Sequence, residues 1–125
     1  MLSTAKLMGF VATADPAAAR QFYESVLGLE LVEDGPYALV FAAPGTSIRV
    51  QKVQAVAPAP YTALGWQVAD IAAEVRQLAA RGLRFERYAG LPQDEDGIWR
   101  TPAGAAVAWF RDPDGNTLSL TEHAR

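Results

Sequence analysis

The clearest alternation of apolar and polar positions lies near the end of the chain, in TLSLTEH (residues 117–123). Leu118, Leu120 and Glu122 fall on one side; Thr117, Ser119, Thr121 and His123 fall on the other. A period of two predicts a strand with one buried face. Other short runs rich in β-branched and aromatic residues read the same way. They are GFVATA (9–14), LELVED (29–34), YALVFAA (37–43), SIRVQKV (47–53), GWQVA (65–69), RFERY (84–88) and AAVAWFR (105–111). Two stretches have helical spacing instead. Asp15 followed by Pro16 is an N-cap with proline at the first helical position. Ala18, Ala19, Phe22, Val26 and Leu27 then make one apolar stripe, and Gly28 closes the helix. Asp70 and Gly82 bracket a second helix, DIAAEVRQLAAR.

These elements come in the same order twice. GFVATADPAAARQF (9–22) echoes GWQVADIAAEVRQL (65–78), with Gly9 matching Gly65 and Arg20-Gln21 matching Arg76-Gln77. Each segment runs on to a Gly-Leu pair and a strand, the second helix being about half a turn shorter. The repeat predicts a duplicated β-α-β-β-β module. Module 1 covers about 5–55 and module 2 about 62–123, with a proline-bearing linker at 56–61, all within one domain. The sixteen residues from Ala89 to Gly104 are long for a loop in a compact domain and read as a lid or an interface.

Composition narrows the function classes. The 125 residues are half hydrophobic and one fifth charged, a globular balance, and large enough for a real core. A net charge of −3 with no basic run gives no reason to expect nucleic acid or an anionic membrane as partner. With no cysteine, disulfides, thiolate metal sites and a cysteine nucleophile are excluded. Neither a signal-peptide pattern nor a bilayer-length apolar stretch is evident, so a cytoplasmic protein is expected.

FYESVLGLELV after Asp15, the Asp70-helix-Gly82 echo and the terminal FRDPDGNTLSL together resemble the vicinal oxygen chelate superfamily. That group includes glyoxalase I, bleomycin-resistance proteins, extradiol dioxygenases and fosfomycin-resistance enzymes. The resemblance implies an α+β fold of two tandem βαβββ modules whose curved mixed sheets form a cleft. In many members the cleft holds a divalent metal. The residues at the positions of the family's ligands are here Met8, Leu64 and Ser119, with Arg49 or Gln51 on the last strand of the first module. A thioether is a soft donor and leucine offers none. His123 is the only histidine, so a two-histidine site within one chain is impossible. No metal and no cofactor are therefore expected.

Strand parity gives an expected ligand-binding set instead: Phe10, Arg49, Gln51, Trp66, Trp109, Ser119 and Thr121. Apolar and aromatic walls with a few polar groups are the usual make-up of a small-molecule pocket. Pairing Arg111 with Thr117 across DPDGN places Trp109 opposite Ser119 and Val107 opposite Thr121. The resulting expectation is a metal-free, homodimeric protein of the bleomycin-resistance kind, holding a small aromatic or amphipathic compound. The alternative is a glyoxalase- or dioxygenase-type lyase, isomerase or oxidoreductase with a non-standard metal site or an acid/base mechanism using His123, Glu95 or Arg49. A third reading is a structural dimer with Phe10, Trp66 and Trp109 as ordinary core aromatics. Asp94, Glu95 and Asp96 read as a solvated loop tip, with a cation site or a general base as the alternative. Trp99 reads as a residue closing the cleft or meeting a second chain, and Tyr23 as packing; Tyr37 is a candidate donor to a substrate oxygen.

Overall fold

The structure is a computed structural model describing residues 1–125. Strand β1 (Gly9–Thr13) is followed by α1 (Pro16–Arg20), a π turn (Gln21–Val26), β2 (Leu31–Asp34), β3 (Ala38–Ala43) and β4 (Thr46–Lys52). The second half runs β5 (Thr62–Gln67), α2 (Ile71–Ala80), β6 (Trp99–Arg100), β7 (Ala106–Arg111) and β8 (Thr117–Glu122). Two four-stranded sheets result, ordered β1-β4-β3-β2 and β5-β8-β7-β6. Each is mixed: β1 lies parallel to β4 and β5 parallel to β8, with antiparallel pairs elsewhere.

The caps act as the sequence predicts. Asp15 accepts a hydrogen bond from Ala18 N at 3.2 Å, and Asp70 from Ala73 N at 3.1 Å, so each satisfies one orphan donor of its helix. These caps stand 55 residues apart, whereas the closing glycines, Gly28 and Gly82, stand 54 apart. The first helical segment is thus one residue longer between the same landmarks. A π turn holds more residues than an α turn, and the turn at Gln21–Val26 absorbs the extra one. Both glycines take positive φ, +75° and +93°, a conformation only glycine reaches without strain.

The RFERY segment does not form the regular strand its residue types predict. Only Phe85 bridges to Phe110, with Glu86 N donating to Trp109 O at 2.8 Å. The chain then leaves the sheet and returns at Trp99–Arg100, which pairs with Val107 and Ala106. Two short segments therefore share the edge of β7. Gln93 holds the excursion closed: its side-chain amide donates to Glu86 O and Gly97 O and accepts from Tyr88 N.

One apolar core serves both halves. Val11, Leu39, Phe41 and Val50 from the first sheet join Ala106, Ala108, Phe110, Leu118 and Leu120 from the second. Phe22 and Tyr23 from the first helical segment and Ile71, Val75 and Leu78 from α2 complete it. Phe22 lies 6.4 Å from Phe110 and Tyr23 lies 5.6 Å from Phe41, so the first helical segment bridges the sheets. The DPDGN turn locks this arrangement. Tyr23 donates to Asp112 Oδ2 at 2.7 Å, Asn116 Nδ2 donates to Ala12 O, and Ala14 N donates to Asp114. No helix is long and apolar enough to cross a membrane.

Candidate functional site

Each sheet has an inner face toward the shared core and an outer face away from it, and strand alternation assigns every residue to one or the other. Val11, Val50 and Leu39 point inward, so their neighbours Phe10, Ala12, Arg49, Gln51 and Val40 point outward. Leu118, Leu120 and Phe110 point inward, leaving Ser119, Thr121, Val107 and Trp109 outward. The hairpin register is the expected one, with Arg111 opposite Thr117, Trp109 opposite Ser119 and Val107 opposite Thr121.

Trp66 is the exception among the expected site residues. It pairs with Leu120, stacks on Phe110 at 6.3 Å and packs against the core. It therefore faces inward, away from Ser119. The physical reason is a one-residue slip. Taking Leu64 as the counterpart of Met8, like matching Gly65 to Gly9, implies an offset of 56, but the helix caps stand 55 apart, and a shift of one flips every strand face. The same slip affects Leu64, which also packs inward; the outward positions beside it are Ala63 and Gly65. With Met8, 43% exposed, and Ser119, these positions offer no set of hard donors. Nowhere do three His, Cys, Asp or Glu side chains gather. The residues present do not fit the divalent metal that the fold implies.

The structure brings the remaining candidates into two groups. On the first sheet, Phe10 lies beside Arg49 and Ala12 beside Gln51. On the second, Trp109 lies beside Ser119, with Thr121 two residues on. Ser119 is only 6% exposed although it faces outward, and Gly65 beside it leaves room for its hydroxyl. A Cβ at Gly65 would stand 3.0 Å from Ser119 Oγ. Trp109 has aromatic company: Trp99 stacks at 6.1 Å with planes 25° apart, and Tyr88 meets it edge-on at 5.4 Å. Sequence reading singled out both tryptophans but missed Tyr88. The signal was its place in a strand-like run whose partner turned out to be β7.

Other candidates have structural work. Asp94 Oδ1 accepts from Asp96 N and Ile98 N, so the acidic run builds a turn rather than a cation site. Glu122 points inward and caps α2 through Ile71 N at 3.0 Å. Tyr23 is fully buried; burial first, and then the Asp112 carboxylate, push its hydroxyl far above the ordinary tyrosine pKa. It is a latch, as packing would require. Tyr37 and His123 are exposed, and Tyr37 lies in the turn before β3.

None of the three cavities is lined by Phe10, Arg49, Gln51, Trp109, Ser119 or Thr121. One of about 160 Å³ sits on the inner side between Leu27, Leu29, Trp66, Leu78, Phe110 and Leu120. A second, about 190 Å³, follows the seam where β1 meets β5, between Leu7, Ser47, Ile48, Leu64 and Trp66. A shallow hollow of about 270 Å³ lies among Lys6, Met8, Thr46 and Ser47.

A profile of the Glyoxalase/Bleomycin resistance protein/Dioxygenase superfamily matches residues 5–120. The chain belongs to that superfamily. Solved structures agree on the fold. A superfamily member from Sphaerobacter thermophilus DSM 20745 is 26% identical, with a TM-score of 0.75 over 98% of this chain and 100% of that one. A lactoylglutathione lyase from Agrobacterium tumefaciens is 20% identical, with a TM-score of 0.73 over 95% and 93%. No curated protein matches. Superfamily membership fixes the architecture and leaves the chemistry to the site, because one fold hosts many reactions.

Proposed function

We propose that this superfamily member binds a small aromatic or amphipathic compound on its outer sheet faces, without a metal, as a cytoplasmic homodimer. The Trp99–Trp109 stack with Tyr88 at its edge carries the reading. Aromatic side chains on an outer sheet face offer flat apolar area at low entropic cost. Ser119 and Thr121 stand beside them with hydroxyls that can donate or accept. The absence of hard donors at Met8, Ala63, Gly65 and Ser119 supports binding without a metal. A dimer is supported by outward apolar residues that one chain leaves open, Phe10 at 46% and Met8 at 43% exposure.

Quenching of tryptophan fluorescence by naphthyl and phenyl compounds tests the aromatic site. Trp109→Ala should weaken the best binder about tenfold or more, and equal affinity in the variant would remove the reading. Metal analysis of purified protein by mass spectrometry tests the second clause. Near-stoichiometric nickel, zinc, manganese or iron would overturn it. Light scattering tests the dimer, which a monomer at high concentration would refute.

A further inference from the structure

The outer face of the first sheet carries a charge with nothing to answer it. Reading across the strands, the register places Glu33, Val40, Arg49 and Phe10 in one row. The Arg49 guanidinium forms none of the chain's ion pairs, and its Nε is buried without a hydrogen-bond partner. Its neighbours in the row, Val40 and Phe10, are apolar. The carboxylate of the row, Glu33, stands one strand beyond Val40, with its carboxyl carbon and Oε1 near Gly35 rather than Arg49. A second cation, Lys6, borders the hollow formed with Met8 and Ser47 and also has no ion pair.

A buried donor without a partner is costly, and a charged one more so. A guanidinium among apolar side chains gains most from a planar anion that takes Nε and one Nη together, in the two-pronged geometry carboxylates provide. We propose that Arg49 anchors an anionic group of the bound compound and that the ligand class is small aromatic carboxylates. Arg49 meets the carboxylate after a side-chain rotation that frees Nε, while Phe10 and Val40 line the apolar remainder. Gln51, two residues along the same face, adds an amide donor. This deepens the preceding proposal and rests on it.

Calorimetric titration of the full-length protein with phenylacetate, its neutral amide phenylacetamide, and phenethylamine tests the charge preference. Phenylacetate should bind about ten- to a hundredfold more tightly than the amide, and phenethylamine most weakly. The preference should shrink as salt rises. Arg49→Gln should weaken the acid far more than the amide and so remove most of the difference between them, and Arg49→Lys should restore part of it. Thermal melts of both variants establish that they fold. Equal binding of acid and amide by the unmodified protein, or a preference that survives Arg49→Gln, would overturn the proposal. If all three fail to bind while other aromatic compounds quench the tryptophans, the charge anchor falls and the aromatic site stands; if no aromatic compound binds, both fall. An Arg49→Gln variant that loses its dimer but keeps the acid preference would assign the guanidinium to a carboxylate of a second copy, which also overturns it.

Discussion

On the outer face of β8, Ser119 and Thr121 stand beside two stacked indoles; on the outer face of β4, Arg49 and Gln51 stand beside one phenyl ring. The inner faces of the same sheets differ little, both being aliphatic and aromatic residues of one core. The duplicated architecture has therefore kept its packing alike and let its outward chemistry diverge. Packing constrains the inner set because every atom there has neighbours to satisfy. The outer set is free of that constraint, so a cation and an aromatic cluster can occupy corresponding sheets.

That contrast can be broken most forcefully from the inside. Phe110 is fully buried and touches Phe22, Trp66 and Phe85, so Phe110→Ala should cost about 3–5 kcal/mol. Urea unfolding measures it, and a loss below ~1 kcal/mol would mean that the halves do not share a core. Tyr23→Phe comes next. It removes a donor from a buried carboxylate and should cost about 1.5–3 kcal/mol at neutral pH.

The same tyrosine makes a pH prediction. Its folded pKa lies above the unfolded value of about 10, so its contribution is complete below pH 10 and declines as pH rises beyond it. The difference in stability between the parent protein and Tyr23→Phe should therefore be constant from neutral pH to about 10 and shrink above. A difference that grows with pH there would contradict the latch.

The smallest effects belong to the outer faces. Arg49→Gln should change stability by no more than ~0.5 kcal/mol, and in the stabilising direction if anything, since the guanidinium has no partner to lose. A loss above ~1.5 kcal/mol in denaturant unfolding would make Arg49 a structural residue and erase the contrast between the faces.

Much of the fold was legible in advance for local reasons. Asp15 and Asp70 announced both helices because a cap is a short-range signal, and DPDGN fixed the last hairpin because turn geometry sets register. Parity counted from the ligand positions that the resemblance supplies puts Phe10, Arg49, Gln51, Trp109, Ser119 and Thr121 on the outer face, where the strand register has them. Trp66 was misplaced, because its face was counted from Leu64 as the counterpart of Met8, one residue out of step with the helix caps. The split edge beside β7 was illegible for another reason: RFERY has strand-forming residues, but the hydrogen bonds of Gln93 decide where the chain leaves the sheet. Tyr88 gained its place beside Trp109 through that tertiary choice.

The π turn at Gln21–Val26 has a consequence for how far the two halves can drift apart in length. Removing one residue there would turn the segment into an ordinary α-helix and rotate the residues before the deletion against those after it by about 100°. Phe22 and Tyr23 could then no longer face Phe110 and Asp112 while Gly28 kept its place. A single surplus residue, tolerated as a local widening of the backbone, thus holds the aromatic bridge in phase with the opposite sheet, and a deletion there should be felt across the molecule at the DPDGN turn.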